Sequence, residues 1–179
     1  MFDYKITNIK LTLKTSFICL DTVKKFLRRK KISFKEYQNF LVIKNIYTYV
    51  YFKSSDSEIN HLNITNIPEF KKIDIACNHI LKNILKPFKI KEIYRRVDNI
   101  SASLNLNRKI DLLKIVSYFQ KICQVSYNTE KFPGVFLKFK YGTIIIFHTG
   151  KCIFIGCKFL RNLKCLEKHI LTYVNTKIK

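Results

Sequence analysis

At 179 residues, 47% of them hydrophobic, the chain is long enough for one domain with a real core or for two small ones. No apolar stretch approaches the roughly 18 residues of a membrane span, and the opening "MFDYKITNIK" lacks the charged-then-apolar layout of a secretory signal, so a soluble intracellular protein is expected. Thirty-four Lys and Arg against 12 Asp and Glu leave a net charge of +22, which points to a polyanionic partner, most commonly nucleic acid. An acidic membrane surface is the competing reading; it would want a basic amphipathic segment or a lipidation signal, and no terminal lipidation motif is present.

In chain order, a strand is expected over 4–13, with Asn8 inside it, and then a helix over 20–30 opened by Leu20-Asp21. An acidic residue in a first helical turn suits the positive end of the helix dipole. Several strands follow, and a helix over about 69–85 closes the first half. "KPFKIK" (86–91) is the expected link. The second half repeats the plan: a strand over 94–104 holding Asn99, a helix over 110–122 opened by Ile110-Asp111, strands over 133–140, 143–149 and 151–156, and a closing helix over 159–175. Tyr141-Gly142 and Thr149-Gly150-Lys151 read as tight turns. Leu163, Leu166, Ile170 and Val174 recur at helical spacing.

The two halves are copies of one design. "ITNIKLTL" from Ile6 returns as "VDNISASL" from Val97, and Asn99 lies 91 positions after Asn8. "YQNFLVIK" from Tyr37 returns as "FPGVFLKF" from Phe132, an offset of 95, and Phe52 and Phe147 are also 95 apart. The aromatic pair in each copy is therefore spaced by 15 residues. Repeats of about 90 residues exceed the short solenoid periods and suggest two similar lobes. Each has an antiparallel sheet with helices on one face, an α+β architecture whose other face is solvated or binds something.

Aromatic pairs in strands usually belong to a core. Repetition at equal spacing favours a binding role for these. Asparagine is depleted from strands, so one that returns at the matching position also favours function. The six cysteines form no CxxC pair and read as reduced thiols, with no metal expected. The basic run Lys24, Lys25, Arg28, Arg29, Lys30, Lys31 reads as a solvated helix face; phosphate contacts, an acidic partner or a nuclear import signal are the alternatives. No Gly-rich phosphate loop, HExxH, GxSxG or paired-carboxylate motif is present, so no enzyme and no cofactor are expected.

The second copy carries "DNISASLNLNRKIDLLKI", "FPGVFLKF" and "IIIFHTGKCIFIGCK" in order, and through them it resembles a repeat of the TATA-box-binding protein family. The first copy resembles it more weakly, through Asn8, "LDTV", Tyr37 and Phe52. The resemblance implies two repeats, 1–88 and 89–179, in one saddle, with a curved antiparallel sheet on the concave side and helices on the convex side. It implies that the sheet sits on the DNA minor groove and that two aromatic side chains per repeat wedge into base steps. On that implication Phe132 and Phe147 are a wedging pair, and Asn99 hydrogen-bonds base edges. Ile145 and Ile153 line the groove floor, and Lys138 and Lys151 meet phosphates; Thr149, Gly150, Gly156 and Lys158 also match. The first copy keeps Asn8, Val50, Phe52 and Thr65, with Tyr37 where a wedging phenylalanine is expected. Lys10 and Ser101 replace two groove-facing valines, Asn63 a third, and Ile155 a threonine; "KSSDSEINH" after Phe52 replaces a short Gly-Lys turn. The implied partners are double-stranded promoter DNA, TFIIB-like initiation factors and RNA polymerase, with no membrane. The implied function is minor-groove binding and bending at promoters, in a nucleus or, for a virus, a viral factory or host cytoplasm. A scaffold of the same fold with only non-specific nucleic-acid binding is the alternative.

Overall fold

The computed structural model describes residues 4–52 and 59–177. These form two compact units, one built from 8–98 and the other from 4–7 together with 99–177. The division falls inside two strands, β1 (Lys5–Ser16) and β6 (Glu92–Asn105). Of the segment after Phe52, residues 53–58 lie outside the described residues.

In the first unit, α1 (Leu20–Arg29) follows β1, then β2 (Lys35–Glu36), β3 (Phe40–Lys44), β4 (Thr48–Phe52) and β5 (Ile59–Ile67). The strands pair antiparallel in the order β2-β3-β4-β5-β1. Period-two alternation sends Ile9, Leu11 and Leu13 of β1, Leu41 and Ile43 of β3, and Leu62 and Ile64 of β5 to one buried face. Val23, Phe26 and Leu27, at helical spacing on α1, are buried with them. The expected closing helix is present but not uniform. A 3₁₀ turn over Phe70–Lys72 leads into α2 (Ile73–Asn78), which widens into a π-helical stretch over His79–Ile84. The expected link begins with another 3₁₀ turn, Lys86–Phe88.

The second unit repeats this with α3 (Leu112–Phe119), β7 (Gln124–Ser126), β8 (Gly134–Phe139), β9 (Gly142–Phe147), β10 (Lys151–Cys157) and α4 (Leu160–Lys177). Its strands run in the order β6-β10-β9-β8-β7. Asp111 is the N-cap of α3 rather than a first-turn residue: its carboxylate accepts from the N–H groups of Leu113 and Lys114, at 3.0 and 3.3 Å. Leu163, Leu166, Ile170 and Val174 of α4 are buried, as the spacing predicted. In both units the core therefore lies between the sheet and its helices. The opposite sheet face is left open.

Candidate nucleic-acid interface

The strand registers show which side chains share each open face. In the first unit a row crosses all five strands as Thr12, Asn63, Val50, Val42 and Lys35. In the second the equivalent row is Ser103, Ile153, Ile145, Phe136 and Ser126. One row further on, Lys44, Thr48 and Thr65 correspond to Lys138, Thr143 and Ile155. Val50, Asn63, Thr65, Ile145, Ile153, Ile155 and Lys138 thus lie on open faces, as do Asn8 and Lys10 on β1 and Asn99 and Ser101 on β6, by strand alternation. Thr149 and Lys151 are exposed at the β9–β10 turn.

An aromatic cluster sits on the outer strands of each sheet. Phe132 packs on Phe136 and Phe147, with ring centroids 4.9 and 5.6 Å apart. Gly134 faces Phe147 across the ladder, and a Cβ there would come within 2.9 Å of the Phe132 ring; glycine is what lets that ring lie over the strand. In the first unit Phe40 holds this ladder position opposite Phe52. Tyr37 stacks on Phe40 at 4.5 Å and Phe40 leans on Phe52 at 5.8 Å. Tyr37 and Phe52 are therefore bridged by a third ring. Tyr37 is 47% exposed, so its hydroxyl needs no protein partner.

The repeated asparagines have a structural task that their residue type alone does not reveal. The β1–β5 and β6–β10 ladders each slip by a bulge, and a residue in left-handed conformation occupies each one: Asn66 (φ 65°) and Gly156 (φ 78°). The Asn8 side-chain oxygen accepts the Asn66 N–H at 2.8 Å, and the Asn99 oxygen accepts the Gly156 N–H at 2.8 Å. Committing the oxygen inward leaves each NH₂ as the end available to a ligand acceptor. The Asn99 NH₂ also donates to Ser101 Oγ at 3.1 Å.

The two faces differ in polarity. On the first, the Thr12 hydroxyl sits 2.8 Å from the Asn63 amide and 2.5 Å from Asp98 Oδ2, and Asp98 pairs with Arg96 at 2.9 Å. On the second, the matching row is Ser103 beside Ile153. Sequence reasoning passed over Thr12, Phe40, Asp98 and Phe136. Phe136 was visible as the alternate residue of "FPGVFLKF"; nothing local marked Asp98. The basic run of α1 is partly engaged: Lys24 bonds Asp21 and Glu36, and Arg28 lies 3.7 Å from Glu36. Those two carboxylates, Asp21 first, raise the Lys24 pKa above its ordinary value. Among the described residues no group of His, Cys, Asp and Glu is arranged to hold a metal. No described helix is long and apolar enough to cross a membrane.

Residues 95–176 match the family model described as transcription factor TFIID, or TATA-binding protein. TATA-box-binding proteins of Pyrobaculum islandicum and Pyrococcus horikoshii are each 35% identical over 71 and 72 residues, which is 38% of this chain and 34% and 36% of theirs. That of Thermococcus sibiricus is 33% identical over 88 residues, 46% of this chain and 45% of its own. The structure of Methanococcus jannaschii TBP superposes with a TM-score of 0.76 at 23% identity, covering 97% of this chain and 98% of that one. The second repeat of the chain resembles the TATA-binding-protein family, and the fold is that of a TBP. The family model describes a transcription factor, and the matched relatives are TATA-box-binding proteins. The described residues of this chain form ten strands and four α-helices, and the α+β architecture is the one the repeat pattern predicted. The chain spans about a third to under half of the length of the curated relatives it matches, and the family match falls on the second repeat, where the open face is more apolar.

Proposed function

We propose that this chain is a transcription initiation factor that binds promoter DNA through the minor groove and bends it, positioning TFIIB-like factors and RNA polymerase. The observation that carries this is the open face itself, built twice. Each copy has an aromatic cluster on its outer strands, a half-apolar row across the sheet, and an asparagine with its NH₂ left for an acceptor. In the minor groove A·T pairs offer only acceptors, adenine N3 and thymine O2, so an outward NH₂ is the matching chemistry. Aromatic rings at the strand ends would wedge into base steps. The charge of +22 would neutralise phosphates and supply most of the affinity. The site of action follows the DNA: a nucleus, or a viral factory if the source is a virus.

A permuted-site bending assay tests this. Phe132→Ala with Phe147→Ala should leave the circular dichroism spectrum and cooperative melting in place and remove the bend at one end of the site, because unstacking a base step costs a few kcal/mol that only an inserted ring offsets. Parent-like bending by the folded double variant contradicts the wedge assignment, and unfolding would put the rings in the core. The carboxylate of Asp98 on the first face favours a second reading, a scaffold with only non-specific nucleic-acid binding. Parent protein that binds duplexes without bending any of them would establish that reading instead.

A further inference from the structure

Three side chains of the first unit, Thr12, Asn63 and Asp98, form a hydrogen-bonded cluster on the open face whose proton count dictates its outward chemistry. Thr12 Oγ has a single proton and two neighbours, both placed as acceptors, Asn63 Oδ1 at 2.8 Å and Asp98 Oδ2 at 2.5 Å. Asp98 is ion-paired with Arg96 at 2.9 Å and so is an acceptor only. The hydroxyl proton therefore goes to Asp98. With Asn63 Oδ1 turned to Thr12, two acceptors would compete for that proton. With the amide the other way round, its NH₂ donates to the Thr12 oxygen and every group is satisfied. Amide orientation is assigned by such network logic. Asn63 Oδ1 then points away from Thr12. The outer amide atom has no partner among the described residues and is not among the buried unpaired atoms.

This is the reverse of Asn8 and Asn99, whose oxygens face inward and whose NH₂ groups face outward, that of Asn99 keeping one N–H beyond the bond to Ser101 Oγ. The minor groove contains one hydrogen-bond donor, the guanine N2 amino group. We infer that Asn63, oriented by Thr12 and Asp98, is a specificity residue that accepts a hydrogen bond from a guanine N2 amino group, so that the first repeat favours a G·C pair at one position of an otherwise A·T-rich site. Asn63 touches the base; Thr12 and Asp98 are positioning residues. The second repeat has no such acceptor, because Ile153 occupies the matching place. The preference is therefore confined to one half of the site. This inference rests on the minor-groove reading.

The test is a duplex series in which each pair of an A·T-rich site is changed in turn to G·C and to inosine·C. Inosine lacks only the N2 amino group. Titrations are run with the parent, Asn63→Val and Asp98→Asn. The expected result is one position, in one half-site, where the parent binds G roughly five- to tenfold more tightly than inosine. Asn63→Val should erase that difference while still binding the A·T duplex. Asp98→Asn, an isosteric surface change, can donate to Thr12 and so releases the amide to turn; it should reverse the preference towards inosine. If the parent binds and bends A·T duplexes but nowhere prefers G to inosine, or if the preference survives Asn63→Val, the inference is overturned and the proposed function stands. If the parent binds no duplex, both are overturned.

Discussion

A single amide can serve structure and recognition at once, provided its two ends are given different work. Asn99 shows how: its oxygen holds the Gly156 N–H at the bulge and its NH₂ remains outward. Aspartate at this position would keep the acceptor and delete the donor. Asn99→Asp should therefore melt close to the parent temperature, yet lose at least roughly tenfold in affinity for A·T duplexes, since a base hydrogen bond is replaced by a carboxylate facing phosphates. Thermal melting alongside a binding isotherm separates the two tasks; equal losses in both would make the residue purely structural. Gly156 is demanded by the same motif. Its first-repeat counterpart, Asn66, is the non-glycine residue that best tolerates left-handed backbone.

At the scale of the element, β1 carries a cost that its pattern conceals. Thr15 is on the buried row with Ile9, Leu11 and Leu13, fully enclosed, and its Oγ1 has no hydrogen-bond partner among the described residues. A buried hydroxyl without a partner costs roughly 1–3 kcal/mol. Thr15→Val, nearly the same shape, should raise stability by roughly 1 kcal/mol or more in denaturant titration, with DNA affinity unchanged; a loss of stability would place a partner on that hydroxyl. The strands and helices of the second repeat were legible because apolar runs between Val135 and Phe154 are separated by glycines that mark both hairpin turns. The edge strands β2 and β7, of two and three residues, are too short for any period to register. The closing helix near residues 69–85 was legible as a helix, but its passage through 3₁₀, α and π windings was not, because apolar spacing barely distinguishes them. The same limit hid part of the candidate interface. Equal spacing exposed the pairs Tyr37 with Phe52 and Phe132 with Phe147. Phe40 and Phe136, which join each pair into a cluster, stand on different ladder rows in the two copies, opposite Phe52 and opposite Ile145, and so break the repeat. Asp98 came to the face through β6, far in sequence from Thr12 and Asn63; only tertiary structure brings those three together.

For the whole molecule, charge dominates. A surplus of +22 on 179 residues makes any DNA complex a counterion-release reaction. Affinity should fall at least roughly a hundredfold between about 50 and 200 mM salt. Lys10, on the open face, makes no hydrogen bond or ion pair among the described residues. Lys10→Val should lower the slope of log affinity against log salt by about one and sharpen the preference for A·T sites. A salt-independent isotherm would remove the electrostatic account, and an unaltered preference in the variant would place Lys10 off the groove floor.

The division of the chain inside β1 has a consequence for how the protein is made. Lys5–Thr7 leave the ribosome before residues 8–98, but they belong to the unit completed by residues 99–177, which follow. The first-repeat unit, 8–98, can close on itself while translation continues; the opening of its own first strand must wait for the second repeat. Such long-range closure slows folding and leaves a β-segment uncommitted during synthesis. A circular permutant that moves Lys5–Thr7 to follow residue 177 would let each unit be finished from contiguous chain.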